Sequence, residues 1–305
     1  MFDMAETPAR WTIDRRHFLA MTAGTLSGLA ARGVPLLGQT RLRFGLVTDS
    51  HYADANPLGT RFYRESLAKM REAVATLRGE RVSFLGVLGD IKDMAPKEPE
   101  AVTLASLAAI EAEIQQFGGP TYHVLGNHDM DNISKPQMLA GITNTGIPKD
   151  QSYYAFSQSG LRFVVIDACY LEDGKHYDRG NFDWRQTWVP AEELAWLGRE
   201  LAAAREPVIV LAHQRLDGTG DLHVKNAADV RVVLERSQKV LAVFTGHDHA
   251  GAYARVNGIH YYTQKAVVEG SGPDRNAYTL VEVDASWNLT VTGYRTAVSK
   301  DLPRG

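Results

Sequence analysis

Five short segments of this 305-residue chain carry side chains that bind metal ions. In order they are Asp49-Ser50-His51, Gly89-Asp90, Gly126-Asn127-His128-Asp129, His213, and Gly246-His247-Asp248-His249. Asp49 and His51 lie two apart, so an extended strand end turns both to one side. Asp90 has two carboxylate oxygens and can bridge two cations. Asn127 offers a neutral carbonyl oxygen; His213, His247 and His249 offer imidazoles. Mixed oxygen and nitrogen donors suit manganese, iron or zinc ions, divalent or trivalent, and argue against calcium, which takes oxygen ligands. Two such ions ~3.5–4 Å apart can hold both the attacking and the leaving oxygen of an in-line displacement. A water shared between them becomes a nucleophile near neutral pH.

Each segment follows an apolar run. The runs Arg41 to Thr48, Val82 to Leu88, Thr121 to Leu125, Pro207 to Ala212 and Val240 to Thr245 read as buried strands, and Leu161 to Ala168 as another. Helices are expected over Phe62 to Leu77, Ala105 to Phe117, Ala191 to Ala204 and Ala228 to Ser237. Leu67, Met70, Val74 and Leu77 share one face of the first, and Pro190 stands at the start of the third. Strands alternating with helices give an α/β layered fold. The last third is β-rich, with hairpin turns at Asn257-Gly258 and Asp284 to Asn288, so a second sheet is expected. Two sheets face to face with helices outside satisfy both observations. The ligand residues then cluster at the carboxyl ends of strands, where open α/β sheets form their sites. Asp173 to Val189, polar and aromatic without a period, reads as a loop or cap near that edge.

The ordered series D-x-H, G-D, G-N-H-D, H and G-H-x-H resembles the calcineurin-like metallophosphoesterase superfamily over roughly Leu42 to Tyr294. The resemblance implies a four-layer α/β/β/α sandwich, two mixed sheets flanked by helices, that hydrolyses phosphate esters or anhydrides with metal-bound hydroxide. It implies Asp49, His51, Asp90 and His249 on one metal, and Asp90, Asn127, His213 and His247 on the other. Asp90 thereby acts in catalysis as the bridging ligand. Asn127 would also contact the substrate, and His128 would stand beside its phosphate as a catalytic residue. Phe62-Tyr63-Arg64-Glu65-Ser66-Leu67, Ser152-Tyr153-Tyr154, Gly251-Ala252-Tyr253 and Gly258-Ile259-His260-Tyr261 are similar to the manganese-dependent ADP-ribose/CDP-alcohol diphosphatase branch. His51 departs from that branch, which tends to carry Gln there, and Arg215 stands where proline commonly follows the histidine.

The expected substrate is a small phosphorylated, nucleotide-derived molecule with a phosphodiester or phosphoanhydride. The alternatives are a broad-specificity phosphomonoesterase and a non-catalytic metal-binding scaffold. Phe62, Tyr63 and Trp184 are candidate substrate contacts. Trp184 and Trp188 suit either core anchors or nucleobase platforms. Arg215 suits either a phosphate clamp or a solvated surface position. Asp129 and Asp248 read as carboxylates orienting neighbouring ligands, and Asp93 as either that or a loop residue. His123, His223 and His260 read as structural.

A net charge of −3 gives no basic excess for a stable nucleic-acid partner. Cys169 is the one cysteine, which rules out an intramolecular disulfide and reads as a small buried hydrophobe. No G-x-S-x-G elbow marks a serine hydrolase. Arg15 and Arg16 precede Phe18-Leu19 and the short apolar stretch Ala20 to Ala31. This pattern resembles a bacterial twin-arginine (Tat) signal, with residues 1–39 as the signal and 40–305 as the metallophosphoesterase domain. Its implied partner is the Tat export machinery, and the mature chain would be exported, periplasmic or secreted, with no membrane span.

Overall fold

The central strands are apolar along their whole length because both of their faces are covered. A computed structural model describes residues 39–305. The elements run β1 (Leu42–Val47), α1 (Ser66–Gly79), β2 (Leu85–Val87), α2 (Glu100–Gln115), β3 (Thr121–His123), α3 (Lys135–Gly141), β4 (Tyr154–Gln158), β5 (Leu161–Val165), α4 (Ala191–Ala203), β6 (Val208–Leu211), α5 (Ala227–Ser237), β7 (Val240–Thr245), β8 (Ala252–Val256), β9 (Ile259–Thr263), β10 (Ala277–Val283), β11 (Leu289–Arg295) and β12 (Lys300–Leu302). One sheet has the order β12-β11-β10-β1-β2-β3, the other β4-β5-β6-β7-β9-β8. Both are mixed: β1, β2 and β3 are parallel while β10 runs antiparallel to β1, and β5, β6, β7 and β9 are parallel between two antiparallel edges.

Side chains along each strand divide between layers, as a period of two requires. In β6, Ile209 and Leu211 join the core between the sheets, while Val208 and Val210 face the helices α4 and α5. Phe44, Phe84, Phe156, Phe163 and Phe244 fill the space between the sheets. Phe44 stacks on Phe84 at 5.0 Å and meets Phe163 edge-on at 5.3 Å, geometry worth ~0.5–1.5 kcal/mol per pair beyond the area buried. On the far side of the first sheet, Met70, Val74 and Leu77 of α1 pack with Leu107, Ile110 and Ile114 of α2. The result is the four-layer α/β/β/α sandwich expected from the sequence.

Several boundaries differ from expectation. The run Val82 to Leu88 pairs only over β2, and α2 starts at Glu100 because Pro99 supplies an extended entry. Helix α3 and edge strand β4 were not anticipated. Asp173 to Val189 holds no helix and no named strand, as expected of a loop. It folds on itself through Tyr177, whose ring stacks on Phe182 at 4.0 Å and whose hydroxyl donates to the Gln186 carbonyl at 2.9 Å. The export-signal expectation lies, all but its last residue, outside the described residues. No helix among the described residues is long and apolar enough to cross a membrane.

Candidate active site and metal centre

Loops leaving β1, β2, β3, β6 and β7 bring the five segments together. Their backbones are bent to do it: Asp49, His51, Asp90 and His247 adopt left-handed φ values of 51°, 45°, 51° and 65°. Such conformations cost on the order of 1–3 kcal/mol each for non-glycine residues and persist only where surrounding bonds enforce them. Here the Asp49 N–H donates to Gly89 O at 3.0 Å, the His51 N–H to Asp90 O at 2.9 Å, and the His247 N–H to Asp49 Oδ2 at 3.0 Å. Asp129 ties two loops by accepting the N–H groups of Asp90, Ile91 and Gly126 at 3.1, 2.9 and 2.8 Å. Two glycines are steric necessities. A Cβ on Gly126 would lie 2.2 Å from Asp90 Oδ1, and one on Gly246 would lie 2.6 Å from Asp49 Oδ2.

Three groups have donor atoms within 4.8 Å of one another: Asp49, His51 and His249; Asp90, His213 and His247; and His51, Asp93 and His128. His249 Nε2 lies 3.4 Å from Asp49 Oδ1, and His213 Nε2 lies 3.1 Å from Asp90 Oδ2. His51 Nε2 stands 3.6 Å from both Asp49 Oδ1 and Asp90 Oδ2, so the groups adjoin. Asn127 is buried beside them.

The outward ring nitrogens are held. His51 Nδ1 pairs with Asp93 at 3.1 Å, His249 Nδ1 with Glu269 at 2.6 Å, and His213 Nδ1 with the Leu88 carbonyl at 2.7 Å. This leaves each Nε2 facing inward, the arrangement that orients a metal-ligating imidazole. Asp49 Oδ1, Asn127 Oδ1, His213 Nε2 and His247 Nε2 are all buried without a hydrogen-bond partner. One such atom costs ~1–3 kcal/mol unless satisfied, so four in one pocket are the donor set that a common ligand would satisfy. Unpaired carboxylate, amide and imidazole donors fit a pair of divalent cations.

The electrostatics agree. Burial alone would raise the pKa values of Asp49 and Asp90. His213 and the other imidazoles reverse this and hold both carboxyls well below the usual range. Burial disfavours charge on His213 and His249 too, yet Asp90 and Asp49 raise His213 to about 9, and Asp49 with Glu269 raises His249 to about 9. At His247, burial and the His213 charge prevail, giving about 3. The pocket therefore demands positive charge next to its carboxylates, and cations binding there would displace protons from His213 and His249.

His128 belongs only to the third group, with its Nδ1 3.7 Å from Asp93 Oδ1. Its Nδ1 pairs with Asp131 Oδ2 at 2.7 Å, its ring meets His51 edge-on at 4.8 Å, and it lines a cleft of about 420 Å³ with Asn127, Asp131, Phe182 and Trp184. Burial opposes its protonation, but Asp131, Asp90 and Asp93 outweigh that and raise it to about 10. Trp184 lies across the cleft, 5.6 Å from the His247 ring. Trp188 is half-buried, its N–H donating to Ala168 O at 3.2 Å.

Other sequence candidates lie elsewhere. Arg215 is not free for a phosphate: Asp217 engages its Nε and Nη2 at 3.1 and 2.8 Å, and Asp248 its Nη1 at 2.7 Å. Asp248 thus serves Arg215 rather than an imidazole. Phe62 and Tyr63 do not line the cleft. The chain there pairs with the 268–269 segment through Phe62 N–H to Val268 O at 3.0 Å, and Tyr63 is buried against Ala53, Ala266 and Val268. Tyr154 bonds the His123 carbonyl at 2.9 Å, and Tyr153 packs on Trp196. His123 pairs with Glu111, His223 with Asp217, and His260 with Tyr253 and the Pro303 carbonyl. Cys169 is buried, with its thiol pushed up by burial. Glu269 and Asp131 were not singled out in the sequence. Asp131 is legible as the i+3 partner of His128, whereas Glu269 carries no local signal.

Comparison with known proteins agrees with the geometry. Residues 42–251 match the family described as calcineurin-like phosphoesterase. The manganese-dependent ADP-ribose/CDP-alcohol diphosphatase of Oryza sativa subsp. japonica is 28% identical over 285 residues, covering 79% of this chain and 87% of the relative. That of Danio rerio is 29% identical over 282 residues, covering 74% and 87%. The crystal structure of a dimetal phosphatase from Danio rerio superposes with a TM-score of 0.75 at 24% identity, over 88% of this chain and all of that one, and shares the fold. The chain belongs to the calcineurin-like phosphoesterases and is a hydrolytic enzyme of that family.

Proposed function

We propose that this chain hydrolyses a phosphodiester or phosphoanhydride bond in a small nucleotide-derived substrate. The observation that carries the substrate class is the cleft in which Asn127 and His128 meet Trp184 and Phe182: an aromatic face stands beside the atoms that would receive a phosphate. Asp49, His51, Asp90 and His249 would hold one divalent ion, and Asp90, Asn127, His213 and His247 the other. Manganese fits these donors and the names of the similar diphosphatases. Ions held by these residues would supply Lewis-acid polarisation of a phosphoryl oxygen and acidify a bound water.

The chain's own residues do the rest. Asp93 and Glu269 fix the rings of His51 and His249, and Asp129 fixes the loops. Asp131 holds His128 by Nδ1, so the opposite edge of the imidazole serves the substrate. There His128 hydrogen-bonds a phosphoryl oxygen or delivers a proton to the departing group. The decisive measurement is kcat/KM for ADP-ribose, CDP-choline, cyclic AMP and p-nitrophenyl phosphate, with manganese and after chelation. A nucleotide substrate is expected to lead, with activity lost on chelation. A preference of about tenfold or more for the simple monoester would overturn the nucleotide reading, a factor equal to ~1.4 kcal/mol in transition-state binding.

A further inference from the structure

A second and larger cleft, of about 860 Å³, opens from the other side of the centre, at His249. Lys265 and Arg275 line it, with Thr60, Glu269 and Ser271. Glu269 is the one carboxylate lining the cleft and pairs with His249 at 2.6 Å, while Asp274, outside the lining, pairs with Arg295 at 3.0 Å. Glu65 accepts from Ser271 Oγ and the Gly272 N–H at 2.9 and 2.7 Å. Lys265 and Arg275 have no ion-pair partner among the described residues, and these two cations outnumber Glu269, the one carboxylate in the lining. Lys265 is half-buried, and its loop is fastened to the centre by the Ala266 N–H donating to His249 O at 3.3 Å. The Arg275 side chain lies over Gly270, where a Cβ would meet its Cγ at 2.8 Å.

We infer that this cleft is an anion subsite that receives a second phosphate of the substrate, with Lys265 and Arg275 as its specificity-determining residues. The inference rests on the nucleotide reading above and extends it. A base against Trp184 and a reacting phosphate at the centre leave the next phosphate of the chain at His249, facing two cations. An alcohol ending in a quaternary ammonium would meet like charges there.

The test is binding to the manganese-loaded protein by titration calorimetry, with α,β-methylene-ADP, AMP and inorganic phosphate as probes. The wild type is expected to bind the analogue about tenfold or more tightly than AMP, the scale of a charge-assisted hydrogen bond. Lys265→Ala with Arg275→Ala should abolish that preference, and Lys265→Glu should invert it, with melting temperature and AMP affinity unchanged. A preference that survives both variants, or is absent from the wild type, overturns the subsite. Free phosphate that binds as tightly as the analogue and loses that affinity in Lys265→Ala with Arg275→Ala would make the cleft a free-anion site and also overturn the assignment. Hydrolysis of bis-p-nitrophenyl phosphate is followed in parallel. Its absence in the wild type would count against the hydrolytic site, whereas the difference in analogue-over-AMP preference between the wild type and the Lys265 and Arg275 variants reports on the cleft.

Discussion

Asp90 Oδ1 accepts the backbone N–H of His128 at 2.8 Å, while Asp90 Oδ2 faces His213 Nε2 at 3.1 Å. One carboxylate therefore joins the donor cluster to the backbone that presents the substrate-side imidazole. Removing it acts on both. Asp90→Ala should lose both metal ions, measured by elemental analysis after gel filtration, and activity with them. Asp90→Asn keeps an oxygen for the His128 N–H but loses the charge, and should retain at most one ion. Two bound ions in either variant would contradict the bridging position.

His128 makes a separable prediction, because the two groups that contain Asp49 and Asp90 are complete without its side chain. His128→Ala should keep its metal content and lower kcat by ~10²–10⁴, the range for general acid–base catalysis. Activated aryl esters should suffer least, since their leaving groups need little protonation. Asp131→Asn should produce a milder version of the same trend, because Asp131 orients the ring through Nδ1. Metal loss without a leaving-group dependence would assign His128 to the metal cluster instead.

The ligand series is legible in sequence because each member follows an apolar strand and its glycines mark tight backbone approaches, as Gly126 against Asp90 demonstrates. Support from a distance is not. Glu269 lies 20 residues beyond His249 on an irregular loop, and only the folded chain shows that the two pair. For Arg215 the sequence leaves a phosphate clamp and a solvated position open, and the folded chain pairs it instead with Asp217, two residues on, and Asp248, 33 residues away. Helix α3 was readable. Ser134-Lys135-Pro136-Gln137 forms a capping box with proline in the first turn, a signal eclipsed by the short length of the helix. Strand β4 is an edge strand with only Tyr154 and Phe156 buried, too brief a period-two pattern to stand out.

Export is independent of the catalytic geometry. Arg15 and Arg16 before Phe18-Leu19 motivate the expectation of twin-arginine transport. Replacing both by lysine, Arg15→Lys with Arg16→Lys, should retain the protein in the cytoplasm of a bacterial host, as read by cell fractionation. Undiminished recovery from the periplasm would remove the twin-arginine assignment.

Trp184 decides how the aromatic cleft is used. Its ring meets His247 edge-on, and the Arg185 guanidinium lies 4.6 Å from its centroid. Half-buried as it is, the ring offers stacking surface next to the reacting centre without contributing to the main core. Stacking of a base on an aromatic side chain is worth ~1–3 kcal/mol, so Trp184→Ala should reduce kcat/KM for a nucleotide substrate by roughly 5- to 150-fold. The loss should fall on KM more than on kcat, because stacking holds the substrate equally in the ground and transition states. A phosphate ester without a ring, such as glycerol phosphate, has nothing to stack on Trp184 and should change little. Equal losses for both substrates would mean that Trp184 supports the His247 loop, and an undiminished nucleotide preference would place the base elsewhere.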